Sequence, residues 1–287
     1  MTTIGMTGAT GQLGALTVVA LMNRGVQPGD IRGMGRHEGK LQALADVGLQ
    51  TAVVDYHDPA TLDAALDGVE TLIFISGSEV GQREQQHANV IDAAEKAGVK
   101  EIIYTSATRA DNSPLFVAPE HKATEERLAA SPITTTIARN NWYNENYLDA
   151  YQLVVARGAH FAHSGDGTIA SASRKDYAEA LAVLATTDEH RGETLELGGQ
   201  TAWTALEFAQ TVADVSGQQI EFLESDEDGH RAKLEAEGVD EGTMGFLLGM
   251  DTAVAQGGLD GPSETLAQLI GHDTTTLEQT FREEIAG

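Results

Sequence analysis

The sequence predicts an α/β protein of Rossmann type, a doubly wound parallel sheet with a smaller, mostly helical C-terminal region. Three observations carry this prediction. Short apolar runs alternate with helical segments through the first half of the chain, the pattern of a parallel sheet with helices on both faces. The stretch "MTGATGQLGA", residues 6–15, sets Gly8, Gly11 and Gly14 between a strand and a helix. The alternation then fades, which divides the chain into a nucleotide-binding part, 1–150, and a smaller substrate-covering part, 151–287, with later segments returning to the first.

Taken in order, "TIGMT" is the first strand and residues 12–24 the helix behind it. "IRGMG" is the second strand, with a helix at 38–47, and "QTAVV" is the third. Asp58 caps a helix that Pro59 opens and Leu66 closes. An aspartate oxygen accepts from the free amides there, and proline has no N–H to lose at the first helical position. "TLIFIS" is nearly all apolar, as a strand covered on both faces must be. A helix over 82–97 stops at Gly98, and "EIIYTS" is the fifth strand. Pro119 opens the next helix and "TTTIAR" is the sixth strand. Beyond it come a strand at "TLELGG", a helix capped by Thr204 and running to Val215, a strand at "QIEFLE", and helices from 226 onward. No linker and no internal repeat is visible.

The three glycines describe a backbone that something approaches closely. Gly8 permits a tight strand-to-helix turn with an unusual φ, Gly11 leaves room for a ligand, and Gly14 lets the helix pack tightly on the strand. The helix then aims free amides and its positive dipole end at the turn, and a pyrophosphate suits that place. The spacing is Gly-x-x-Gly-x-x-Gly rather than the common Gly-x-Gly-x-x-Gly. The strand before it and the helix after it therefore carry the argument.

Cofactor choice is read at the end of the second strand, "GMGRHEGK". An NAD site wants a carboxylate there for the ribose hydroxyls. Asp30 lies at the opposite end, and Glu38 falls in the next helical turn. Arg36 stands at the right end, with His37 and Lys40 nearby, and its fork suits a 2′-phosphate. The expected cofactor is NADPH. After the fourth strand, Ser76 and Gly77 lie beside the point where strand order reverses. After the sixth strand, "ARNNWYNENY" mixes aromatics with asparagines, a composition suited to line a flat ring.

Composition narrows the function further. The hydrophobic share of 41% supports a full core, and there is no cysteine, hence no disulfide, no thiolate chemistry and no cysteine-bound metal. No run is long and apolar enough for a membrane span, and no secretion signal is visible, so the expected location is cytoplasmic. With 44 acidic against 18 basic residues the net charge is −26, which repels nucleic acid and anionic membranes. The acidity peaks in "EFLESDEDGHRAKLEAEGVDE", residues 221–241, read as a solvated helical face and not a metal site.

Several motifs together resemble a known family. "TGATGQLG", "SGSEVGQR", "QHANVIDAAEKAGV", "RNNWYNENYL", "GDGTIASASRKDYAEA" and "LIGHDTTTLEQT" resemble the NmrA-like atypical short-chain dehydrogenases, and among these the NADPH-dependent quinone oxidoreductases. The triphenylmethane reductases are a sibling group. The resemblance implies that Gly8, Ala9, Thr10, Gly11, Gln12 and Leu13 contact the pyrophosphate. It implies that Arg36 holds the adenosine phosphate and that Ser76 and Gly77 pass near the nicotinamide ribose. It places Asn140, Asn141, Trp142, Tyr143, Asn144 and Glu145 beside the nicotinamide, and it gives Arg174 a part in cofactor or pocket.

One feature of ordinary short-chain dehydrogenases is missing. Their tyrosine protonates a carbonyl from a Tyr-x-x-x-Lys unit beside a serine. Here Ser106 follows the fifth strand, but the residue four before Lys122 is Ala118, and neither Tyr104 nor Tyr177 starts the motif. A quinone tolerates the loss, because hydride addition gives an aromatic hydroquinone anion that water protonates. The expected reaction is direct hydride transfer from NADPH to a quinone or similar flat acceptor, without flavin or metal. Trp142, Tyr143 and His121 are the expected pocket residues, and His87, on one helix face with Ile91 and Ala94, is expected to pack. Reduction of triarylmethane dyes, and an NADP(H)-sensing role without turnover, are the alternatives. A homodimer is a further expectation.

The charge makes a first prediction. A surface adapted to a salty cytosol repels itself in dilute buffer. The Debye length shrinks from about 10 Å at 0.1 M salt to about 3 Å at 1 M. The melting temperature is therefore expected to climb from low to molar potassium chloride, and a flat profile refutes salt adaptation.

Overall fold

The computed structural model describes residues 3–286. Its elements follow in chain order as β1 (Ile4–Met6), α1 (Gln12–Asn23), β2 (Ile31–Gly35), α2 (Glu38–Asp46), β3 (Gln50–Val53), α3 (Pro59–Leu66), β4 (Thr71–Phe74), α4 (Arg83–Ala97), β5 (Glu101–Ala107), α5 (Ala118–Ala129) and β6 (Thr134–Asn140). Then come α6 (Leu148–Arg157), β7 (Ala159–Ala162), β8 (Thr168–Ile169), α7 (Arg174–Thr186), β9 (Thr194–Leu197), β10 (Trp203–Thr204), α8 (Ala205–Ser216), β11 (Glu221–Glu224), α9 (Glu227–Ala236), α10 (Glu241–Ala255), α11 (Glu264–Ile270) and α12 (Leu277–Ala286).

Seven parallel strands form one sheet in the order β3-β2-β1-β4-β5-β6-β9. Ile4 of β1 pairs with Ile31 on one side and Thr71 on the other, so the chain reverses direction across the sheet between β1 and β4. That reversal opens a crevice at the carboxyl ends of these two strands.

Strand alternation explains why the central runs are apolar throughout. Leu72 and Phe74 face one side, with α3, α4 and α5, whereas Ile73 faces the other, with α1 and α7. Ile102 and Tyr104 against Ile103 repeat the pattern in β5. Local signals fix the helix ends as expected. Asp58 accepts from the Ala60 amide, Gly98 closes α4 at φ 74°, and Ser173–Asp176 and Thr204–Glu207 form reciprocal capping boxes.

The second half is built on the first. α7 and β9 return to the large sheet, while β7 pairs with β11 and β8 with β10 in two small ribbons. α6, α8, α10 and α12 pack around Tyr151, Phe208, Val254 and Phe281 in a separate apolar cluster. The acidic stretch at 221–241 is solvated over most of its length, with His230 and Leu234 buried on the inner face of α9. Among the described residues, no helix is long and apolar enough to cross a membrane.

A buried polar chain sits between β5, α4 and α5. The Tyr104 hydroxyl lies 2.8 Å from His121 Nδ1, and His87 Nδ1 lies 2.8 Å from Thr124 Oγ1. His87 Nε2 accepts from the Gly77 amide at 2.9 Å, and the Thr124 hydroxyl donates to the Glu120 carbonyl. His87 is thus a packed residue that also pins the loop after β4. His121 does not reach a substrate pocket as expected, because its helix face turns it into the core against Tyr104.

Burial pushes the His87 imidazole down to about 3, helped by His121 and the Arg83 cation, and burial with Arg83 does the same to His121. An unfolded chain takes up these protons below about pH 6.5, whereas the folded one refuses them. Their contribution to stability is whole above that pH and is lost as pH falls toward the folded values. The variant His121→Gln is expected to remove about 2 kcal/mol of the stability that urea unfolding shows to be lost between about pH 7 and about pH 5. Parallel pH profiles for the variant and the parent refute this account.

Candidate active site

The site starts at the turn between β1 and α1. Gly8 adopts φ 67°, a left-handed conformation that suits glycine. The Ala9 amide donates to the Met34 carbonyl at 3.0 Å, which ties the turn to β2. At Gly14 a Cβ would lie 2.2 Å from the Gly8 carbonyl oxygen and 2.7 Å from Ala9 Cα, so helix and turn meet backbone to backbone. Gly35 faces the Thr10 side chain closely, since a Cβ there would sit 2.6 Å from Thr10 Oγ1. Gly11 precedes α1 without any side-chain cap, and the first turn holds no acid. The positive end of the helix therefore stands open to an anion. The Ala9 and Leu13 side chains are buried in the core, so contact with a ligand falls to their backbone.

Around this turn lies a cleft of about 290 Å³, lined by Gly8, Thr10, Gly11, Arg36, His37, Lys40, Ser76, Gly77 and Glu79, among others. Arg36 is half exposed and forms an ion pair with Glu79. The same carboxylate lies 3.1 Å from His57 Nε2 and accepts from Gln86 at 3.0 Å. Hydrogen bonds from His57 and Arg36 hold Glu79 below the usual carboxylate range. Nothing in its local sequence marks Glu79 as a partner of Arg36, 43 residues away. The loop carrying Ser76 and Gly77 is fixed on both sides. The Ser76 amide donates to Thr105 Oγ1 at 2.9 Å, and the Gly77 carbonyl accepts from Arg83 Nε at 2.6 Å.

The structure divides the stretch from Asn140 to Glu145. Asn141 and Asn144 are buried and turned inward. Asn141 Nδ2 donates to the Leu259 carbonyl, and Asn144 binds the Thr275 carbonyl, Thr280 Oγ1 and the Ser171 hydroxyl. Their amides hold the C-terminal segments to the sheet. Asn140 differs, for its buried Oδ1 has no partner, while its Nδ2 donates to the Tyr143 hydroxyl at 3.3 Å. Glu145 accepts the Arg174 amide at the start of α7 at 2.8 Å, and burial raises its pKa. The Arg174 guanidinium donates to Asn146 Oδ1 and lies 5.0 Å from the Tyr143 ring centre.

A second cavity, of about 690 Å³, opens beyond this stretch. Gln12, Trp142, Glu145, Tyr147, Arg174 and Trp203 line it, together with His160, Phe246, Leu247 and Asp251. Trp142, an expected pocket residue, lines this cavity. Tyr143 is not among the lining residues, because its ring packs edge-on against Tyr177 at 5.1 Å beside the core. Strand alternation at the end of β6 sends neighbouring side chains opposite ways.

The described residues offer no serine–tyrosine–lysine unit. The Ser106 hydroxyl donates to Glu125 at 2.5 Å, and Arg139 joins Glu125 to Glu196. Tyr104 is fully buried and Lys122 is exposed. The bare helix end, the turn that admits no Cβ at Gly14, and the unpartnered Asn140 oxygen together fit an extended, anionic dinucleotide.

Comparison with known proteins agrees with this geometry. Residues 8–188 match the model of an NAD(P)H-binding family. Quinone oxidoreductase 2 of Escherichia coli is 45% identical over 277 residues, 96% of each chain. The crystal structure of the NADPH-dependent quinone oxidoreductase of Escherichia coli complexed with NADPH superposes with a TM-score of 0.93 at 44% identity, covering 99% of this chain and 100% of that one. Triphenylmethane reductase of Citrobacter sp. complexed with NADP(H) gives a TM-score of 0.92 at 32% identity, covering 98% and 99%. The chain belongs to this NAD(P)H-binding family, and to the same family as quinone oxidoreductase 2.

Proposed function

We propose that the protein is an NADPH-dependent reductase of quinones. One observation carries the reading above all. Gly11 lines the anion-friendly cleft and its neighbour Gln12 lines the aromatic cavity, so the glycine turn joins the two. A dinucleotide seated on that turn extends from Arg36 at one end to Trp142 at the other. Relatives of high similarity that carry the name quinone oxidoreductase support the reading.

The chain's residues divide the work. Backbone amides from Gly8 to Leu13 hold the pyrophosphate. Arg36, with His37 and Lys40 in the same cleft, holds the 2′-phosphate. Ser76 and Gly77, fixed by Thr105 and His87, border the nicotinamide ribose. Asn140 offers its free oxygen at the nicotinamide end, and Tyr143 and Arg174 fix the wall there. Bound NADPH supplies the hydride. Trp142 and Tyr147 give the acceptor flat apolar surface, and alignment is the main requirement of the step. A hydroquinone anion leaves as an aromatic and takes its proton from water, so no tyrosine acid is needed.

A second reading is favoured by cavity size. At about 690 Å³ the cavity falls within the range of sites for drug-sized ligands. Extended acceptors, including triarylmethane dyes, suit it better than a single benzoquinone ring.

Three outcomes are expected. Purified protein without added flavin oxidises NADPH with benzo- and naphthoquinones, leaves simple ketones almost untouched, and passes deuterium from labelled NADPH to the acceptor or shows an isotope effect. Trp142→Ala lowers kcat/KM for the acceptor while NADPH binding holds. Tight NADPH binding without any turnover rejects the reductase in favour of a sensor. Arg36→Ala weakens NADPH by about 1.5–3 kcal/mol, the value of a charge-assisted hydrogen bond, and leaves NADH nearly unchanged. Equal losses for both cofactors in a binding titration refute the phosphate role.

A further inference from the structure

Three elements of the C-terminal region bring two imidazoles and a carboxylate to one point. His163 follows β7, His230 lies on α9 and Asp251 on α10. His163 Nδ1 is 3.0 Å from His230 Nδ1 and 3.2 Å from Asp251 Oδ2, and His230 Nδ1 is 3.1 Å from the same oxygen. Both imidazoles are nearly buried, at 7% and 8% exposure.

The proton inventory shows what this triangle is suited to hold. The Thr252 hydroxyl donates to the Leu248 carbonyl at 3.0 Å, so it accepts from His163 Nε2 at 3.2 Å. That bond puts the proton of a neutral His163 on Nε2 and leaves a lone pair on Nδ1. Asp251 Oδ2 accepts the His163 amide at 2.9 Å and keeps further lone-pair capacity. With His230 in its Nε2–H tautomer, three lone pairs converge on one place. Metal–ligand bonds of about 2.0–2.1 Å give ligand–ligand edges of about 2.9–3.4 Å in octahedral or tetrahedral geometry. All three observed edges fall inside that window. An ion would sit about 1 Å off the plane of the triangle. The Thr252 hydroxyl is the outer partner that orients a metal-binding imidazole.

We propose that His163, His230 and Asp251 form a binding site for a divalent transition ion of the zinc class in the wall of the larger cavity. The donor set of two imidazoles and a carboxylate suits zinc, and three protein ligands leave a coordination position open. His230 and Asp251 both line the cavity, so that position faces it. The site stands apart from the glycine turn and does not depend on which acceptor the cavity takes.

The test uses the untagged full chain, stripped with a chelator. Cobalt titration followed by its visible d–d absorption, then competition with zinc, is expected to show one saturable equivalent with micromolar or tighter affinity. The double variant His163→Ala/His230→Ala is expected to lose at least 100-fold in affinity while binding NADPH normally. Thr252→Val, which keeps all three ligands, is expected to lose about 10- to 100-fold. It also serves if the double variant fails to fold. No saturable equivalent in the parent overturns the site. So does full affinity in the double variant, which would place the ion on the acidic surface, or full affinity in Thr252→Val where the double variant does not fold. Normal NADPH binding alongside any of these results leaves the reductase reading intact.

Discussion

The contact between Gly14 and Gly8 governs the site. No side-chain atom fits between them, so α1 begins against the end of β1 and presents its amides where the sheet reverses direction. A β-carbon at Gly14 would push the helix from the strand, and the turn, the cleft and the cavity would separate. The central sheet is the support this contact needs, with β1 paired to neighbours on both sides.

The loops around the turn are held from below by polar groups without access to water. His87 anchors Gly77, Arg83 anchors the same residue through its carbonyl, and Asn141 and Asn144 draw distant segments onto the end of β6. The amide groups of Asn141 and Asn144 and both ring nitrogens of His87 find partners within the protein, as burial requires, while Arg83 keeps one guanidinium nitrogen without a hydrogen bond, 3.7 Å from Glu120. The C-terminal half thus contributes little to the sheet but fixes the cavity wall through α6, α8, α9 and α10.

The sequence revealed what neighbouring residues decide among themselves. Strand periodicity, the Asp58 and Thr204 caps, the glycine turn and the place of Arg36 after β2 are of this kind, and each matches the structure. Choices made by tertiary packing were not legible. His121 and Tyr143 carry the right chemistry for a pocket, yet helix rotation and strand alternation turn both toward the core. His163 and His230 stand 67 residues apart on a strand end and a helix, with no motif spacing to join them. Local patterns gave the glycine turn, Arg36 and with them the NADPH expectation, while the family motifs added the expected contacts on the nicotinamide side.

Arg36 and Glu79 form an ion pair in the wall of the cleft. An anion that approaches this guanidinium therefore meets a carboxylate tethered to the same molecule. Tethering gives that carboxylate a high effective concentration. A small anion has only its own charge to set against that carboxylate, whereas a ligand also held at the glycine turn would bring further anchoring. On the role proposed above for Arg36, the clasp would favour a ligand held at two points over the small anions around it.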